Sequence, residues 1–234
     1  MRKKDHGKKR EQTTLHIYIF RHGQTYFNRD HIFTGWKDSK LTPLGIKQAK
    51  KIGHKLAHKK FDLAFCTTLS RSGDTLKHVL DCKKNRRKIR IVFDDRMRER
   101  RYGKLEGTHH STFVEREGED SYKTLQHWHK IDHLSGKDRK EFVKKVGEAE
   151  LQVIRRSYDV APPGGESIRM VEKRVLPFIR DLLKMMKKQK VNVAISAHGN
   201  SMRPFRRYFE HLSIEEMMKL ENPWDDYFEY TIKV

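Results

Sequence analysis

Two histidines sit in the same local setting at opposite ends of the chain. The apolar run IYIF (17–20) stops at Arg21-His22-Gly23, and the apolar run VNVAISA (191–197) stops at His198-Gly199. Arg71 closes a third such passage, DLAFCTTLSR (62–71), and Glu99 lies in RMRERRYGKLEG (96–107), after a fourth apolar run. Two imidazoles, two guanidiniums and a carboxylate suit phosphoryl transfer. Arg forks match phosphoryl oxygens and stay charged. A neutral imidazole can take the phosphoryl group on nitrogen, and neighbouring arginines favour that neutral form. The second imidazole can donate to the transferring oxygens, and a carboxylic acid can protonate the leaving oxygen. Gly23 and Gly199 would let backbone N–H groups approach an anion, with the positive end of a helix after Gly199 adding to the attraction.

These groups meet only if the fold gathers them. Strand patterns fall at 15–20, 62–68, 89–94 and 191–197, with YFEYTIKV (227–234) as a last strand. Helical patterns lie between them. Thr42-Pro43 is a cap and first-turn pair opening a helix with Ala49, Ile52, Gly53 and Leu56 on one face. Further helices are expected at 69–80, at 166–188 with Pro177 expected to kink it or end a turn, from about 201, and after Ser213. Alternating strands and helices predict a three-layer α/β/α fold with a mostly parallel central sheet. Ligands of such sheets bind beyond the carboxyl ends of the strands, where Arg21-His22, Arg71 and His198-Gly199 would all lie. The polar stretch at about 112–163 reads as a helical insertion acting as a lid, anchored by Trp128, Phe142 and Val146. The expected organisation is a flexible basic arm at 1–13 and a single domain at 14–234.

The chain has 234 residues and a formal charge of +21. Such a charge attracts anions, whether phosphorylated metabolites, nucleic acid or anionic membrane. A solvated basic surface is the plain reading of the runs RKKDHGKKR (2–10) and KKNRRKIR (83–90). Nucleic acid is therefore not the expected main partner, although these runs could contact its phosphates. Two cysteines make neither a disulfide framework nor a thiolate metal site, and suggest a reducing, cytoplasmic setting. No secretory signal or membrane span is expected. His129 and His133 have helical spacing but lack the HExxH pattern, and no metal is required by the chemistry above.

The stretches RHGQTYFN, FTGWKDSKLTPLGIKQA, TTLSRSGDTL, RERRYGKLEG, PPGGESI and AHGNSMR together resemble the histidine phosphatase superfamily, and within it the cofactor-dependent phosphoglycerate mutases. The resemblance implies that His22 is the phosphorylated histidine, surrounded by Arg21, Arg71, His198, Asn28 and the Gly199 backbone. It makes Glu99 the general acid/base and gives Thr34, Gly35, Arg100 and Tyr102 the remainder of the substrate. It implies a small phosphorylated metabolite as partner, 2,3-bisphosphoglycerate as primer, no metal, and a role in glycolysis and gluconeogenesis. A homo-oligomer is compatible with it. Three departures stand out. Gln24 replaces an acid, and His110 stands where such mutases place a lysine that holds the substrate. HWHK (127–130) is the candidate for their tryptophan followed by paired arginines. The leading expectation is a mutase interconverting 3- and 2-phosphoglycerate. The alternative is a phosphatase of small phosphomonoesters, and a basic nucleic-acid-binding protein is third.

Overall fold

The computed structural model describes residues 13–234. The expected basic arm falls, but for its last residue, outside the described residues. In chain order the elements are β1 (Thr14–Arg21), the single-turn α1 (Tyr26–Arg29), α2 (Pro43–Leu56), β2 (Leu63–Cys66), α3 (Ser70–Asp81) and β3 (Arg90–Phe93). There follow α4 (His110–His127), α5 (Gly136–Arg156), α6 (Ile168–Gln189), β4 (Val193–Ala197), α7 (Gly199–Glu210), α8 (Ile214–Lys219) and β5 (Tyr227–Lys233). The sheet runs β3-β2-β4-β1-β5, with β5 alone antiparallel.

Alternation along β1 explains the layers. Leu15, Ile17 and Ile19 point into one core with Val175, Phe178, Leu182 and Phe205 of α6 and α7. Tyr18 and Phe20 point into the other with Ile52, Leu56, Leu76 and Val79 of α2 and α3. Successive strand side chains face opposite sides, so one strand supplies both cores. Local signals set the helix starts. The Thr42 hydroxyl accepts from the Gly45 N–H with Pro43 in the first turn, and Ser213 forms a capping box with Glu216.

The helix expected at 166–188 is α6, which runs through Pro177 to Gln189. Its buried face of Val171, Val175, Phe178, Ile179, Leu182 and Met186 outweighs the roughly 3 kcal/mol cost of an interior proline, since each large apolar side chain contributes about 1.5–3 kcal/mol. Trp128 anchors nothing; it is 66% exposed, and Phe142 and Val146 are only half-buried.

The insertion is a helical hairpin of α4 and α5. Its own small core is Tyr122, Ile131 and Val143. Phe113, Leu151 and Ile154 fasten it to Phe33, Tyr102 and Leu105 of the loops beyond the sheet. The two helices touch backbone to backbone. A Cβ on Gly118 would overlap the Val143 carbonyl, and one on Gly147 would overlap the Val114 carbonyl. Gly118→Ala or Gly147→Ala should therefore destabilise the protein by about 1–3 kcal/mol, the usual cost of overpacking. Urea unfolding followed by circular dichroism measures it, and an unchanged midpoint would refute the close approach.

Candidate active site

The carboxyl ends of β1, β2 and β4 bring the expected groups together. A cavity of about 320 Å³ is lined by Arg21, His22, Asn28, Thr34, Gly35, Arg71, Glu99, Tyr102 and His110, among others. Parallel register makes this so: Arg21 pairs with Ala197 across β1 and β4, so His22 and His198 leave the sheet side by side. Their ring centroids lie 5.0 Å apart. His198 is fully buried, with a ring nitrogen within 4.8 Å of the ligating atoms of His22 and Glu99.

His22 Nδ1 lies 2.8 Å from the Gly23 carbonyl. That oxygen can only accept, so Nδ1 carries the proton and Nε2 keeps the lone pair a nucleophile needs. Burial, then Arg71, then Arg21 hold the His22 pKa well below the ordinary imidazole value. Burial and Arg71 do the same to His198. His198 Nε2 is engaged with the Thr67 hydroxyl at 2.8 Å, leaving Nδ1 without a partner among the described residues. Arg71 is fully buried and donates to the carbonyls of Gly35 (2.7 Å) and Lys37 (3.0 Å); burial lowers its pKa to about 10. The Nε atoms of Arg21 and Arg71 are sealed from solvent and unpaired among the described residues. Unpaired buried donors beside a cavity are what an anion would satisfy.

Glu99 is held rigidly. Its Oε1 accepts from the N–H groups of Arg100 (2.7 Å) and Asn200 (3.1 Å), which leaves Oε2 for a substrate oxygen. Its carbonyl accepts from Trp36 Nε1 (2.8 Å) and Arg174 Nη2 (2.9 Å). Trp36, the tryptophan of FTGW, thus positions the acid. Asn28 turns Oδ1 toward Thr25, accepting from its N–H and hydroxyl, so its amide NH₂ is the end free to donate.

Several expectations change. Arg100 is not in the cavity. Its guanidinium is fully buried and donates to the carbonyls of Ile154, Val160 and Glu166, tying α5 and the segment after it to the Glu99 loop. Five charged groups crowd residues 96–101, and sequence cannot say which one points inward. The Gly23 N–H donates to Thr75 Oγ1, and a Cβ there would strike the Gly45 carbonyl. Gly23 serves close packing rather than anion binding. Gly199 lines an adjoining chamber of about 110 Å³, and its carbonyl accepts from Asn222 Nδ2.

Residues the sequence reading passed over complete the site. Arg155, His31, Asn200, Glu221 and Trp224 also line the cavity. Arg155, Arg156 and Arg203 line the adjoining chamber, where Arg156 pairs with Glu221 at 2.9 Å. The paired arginines are therefore Arg155-Arg156 at the end of α5, not HWHK. The adjacent pair in IRRSYD, just before PPGGES, was the available signal. His110 rests edge-on against Phe33 at 4.4 Å; burial, then Arg155, lower its pKa to about 4.

His22, Glu99 and His198 bring ligating atoms within 4.8 Å of one another, the one such cluster among the described residues. A divalent cation there would face the fixed charges of Arg21 and Arg71, so the charge balance suits an anion. His129 instead pairs with Asp132 on the exposed hairpin.

The model of the histidine phosphatase superfamily (branch 1) matches residues 17–157 and 130–231. The chain belongs to this superfamily. It is 35% identical over 207 residues to the 2,3-bisphosphoglycerate-dependent phosphoglycerate mutase of Mesorhizobium japonicum, covering 88% of this chain and 86% of that one. In fold it is similar to the phosphoglycerate mutase from Bacillus anthracis (TM-score 0.65, 20% identity, 95% and 94% of the chains). It is equally similar to a mycobacterial glucosyl-3-phosphoglycerate phosphatase (TM-score 0.67, 20% identity, 94% and 91%). A protein named a mutase and one named a phosphatase thus share this fold. No helix among the described residues is long and apolar enough to cross a membrane.

Burial of neutral histidines has a consequence for stability. His22, His198 and His110 titrate near 6.5 when unfolded and lower when folded. As pH falls below about 6.5, the unfolded chain gains protons that the folded chain refuses, so stability falls with pH. For His110 that window closes at about 4. The urea midpoint should drop between pH 7.5 and 5.5, and His110→Asn should flatten the slope; equal slopes would refute the shift at His110.

Proposed function

We propose that the protein is a phosphoglycerate mutase, interconverting 3- and 2-phosphoglycerate through a phosphohistidine at His22. The observation that carries this reading is the second set of guanidiniums. Arg155 shares the cavity with His22, and Arg156 and Arg203 stand in the chamber beside it. A mutase must hold a substrate with two acidic groups while either hydroxyl faces the histidine. A lone phosphoryl grip suffices for hydrolysis; a second anion grip, brought in on the α4–α5 hairpin, is what retention of a bisphosphorylated species requires. The hairpin supplies His110 and Arg155 to the cavity wall, and a wall that keeps water out disfavours water as the acceptor.

In this reading His22 Nε2 attacks phosphorus as the bond to the substrate oxygen breaks. Glu99 Oε2 delivers a proton to that oxygen, then recovers one from the hydroxyl that attacks phosphohistidine. Arg21, Arg71 and His198 take up the charge on the three equatorial oxygens. Asn28 donates its amide to the phosphoryl group, and Arg155 and Tyr102 orient the glycerate carboxylate, with Thr34 and the Gly35 backbone around it. 2,3-Bisphosphoglycerate supplies the phosphoryl group that first primes His22. The similarity to the mutase of Mesorhizobium japonicum supports the same assignment.

Phosphatase activity is the second reading. It is favoured by His110, whose lowered pKa leaves the site without a fixed cation where related mutases carry a lysine.

Phosphorus NMR of 3-phosphoglycerate with a trace of 2,3-bisphosphoglycerate should show 2-phosphoglycerate without inorganic phosphate. Dominant phosphate release would replace the mutase by the phosphatase. Arg155→Gln should lower mutase flux about tenfold or more, the worth of a charged hydrogen bond, and raise phosphate release relative to it. His22→Ala should abolish transfer of labelled phosphate to the protein, and retained labelling would remove His22 from its role.

A further inference from the structure

The loop between α8 and β5 brings Trp224 to the wall of the His22 cavity. Its ring lies against the Arg21 guanidinium, 4.6 Å from Cζ to centroid. The same loop accepts from Arg21 Nη1 through the Asn222 carbonyl (3.4 Å). Asn222 is itself pinned, donating to the Gly199 carbonyl and accepting from Arg206 Nη1 (3.1 Å). The Trp224 indole N–H is sealed from solvent and has no partner among the described residues. That is unusual, because a buried indole N–H normally finds an acceptor. Trp36 does so, donating to the Glu99 carbonyl, and Trp128 is exposed.

We propose that Trp224 belongs to the phosphoryl site: its ring sets the plane of Arg21, and its indole N–H donates to an oxygen of the anion held beside His22. The inference rests on His22 as phosphoryl acceptor and holds for mutase and phosphatase alike. The donors of a guanidinium lie in its plane, so a ring on its face orients it without consuming a donor. An uncharged donor also adds a hydrogen bond without repelling Arg21, Arg71 and Arg155, which already crowd the cavity. Arg21 Nε and the indole N–H are both unpaired among the described residues, on two side chains that touch each other and line one cavity, and one anion there would satisfy both.

The test uses the whole protein, ¹⁵N-labelled at its three tryptophans, with orthovanadate as the probe. Trp224→Phe assigns its resonance by deletion. With vanadate, the Trp224 indole proton should move downfield more than those of Trp36 and Trp128. Trp224→Phe, which keeps a ring but loses the N–H, should raise the vanadate inhibition constant about tenfold and raise KM more than it lowers kcat. Trp224→Ala, which also frees Arg21, should lower kcat by a further factor of about ten. An unmoved Trp224 resonance at saturating vanadate, with unchanged inhibition in Trp224→Phe, overturns the inference and leaves His22 in its role. Absence of any vanadate inhibition or shift in the wild-type protein overturns both.

Discussion

Buried positive charge without an equal amount of buried negative charge is the constraint around which this protein is arranged. Arg21 and Arg71 stand beside two buried imidazoles, with Glu99 the carboxylate closest to hand. Burying such charge is unfavourable. The fold limits the penalty in two ways. It keeps His22 and His198 neutral, and it gives Arg71 the Gly35 and Lys37 carbonyls while leaving Nε unpaired. What remains is an excess of donors that a phosphoryl dianion would neutralise. The anion site is thus a deficit built into the core.

Holding that deficit needs rigid surroundings. Glu99 has to stay close to two guanidiniums without collapsing onto either. Its Oε1 is taken by two backbone N–H groups, and its carbonyl by Trp36 and Arg174. Arg174 is fixed in turn by Glu166 and by the Arg96 and Arg98 carbonyls. Arg100, facing away, ties the same loop to the end of α5. The loop that positions the acid and the helix that carries Arg155 are therefore one mechanical unit. A shift of the hairpin would move proton donor and second anion grip together.

Much of the site was legible because it follows strands. An apolar run ending in Arg-His-Gly or His-Gly places those residues at the sheet's carboxyl edge, whatever the loops do. The superfamily motifs carried the same information for Arg71 and Glu99. Legibility failed where charge was dense. Residues 96–101 hold four arginines and one glutamate, and only packing shows that Arg100 braces carbonyls while Arg98 and Arg101 lie against Trp36. In the insertion, HWHK was the candidate for the tryptophan and paired arginines that the mutase resemblance implies, yet Trp128 is in solvent and the arginine pair lining the chamber beside the cavity is Arg155-Arg156.

By itself the sequence determined the alternation of strands and helices, the caps at Thr42 and Ser213, and the two histidines at one sheet edge. These depend on local periodicity and on parallel crossovers, which leave few alternatives. Tertiary structure alone decided which of 52 arginines and lysines enter the cavity, which tautomer His22 adopts, and that Trp224 lies on Arg21. Those outcomes depend on side-chain direction, whether the partner is the next residue, as Gly23 is for His22, or two hundred residues away, as Trp224 is for Arg21. No spacing along the chain encodes them, because a guanidinium looks the same in sequence whether it faces water, a carbonyl or an empty anion site.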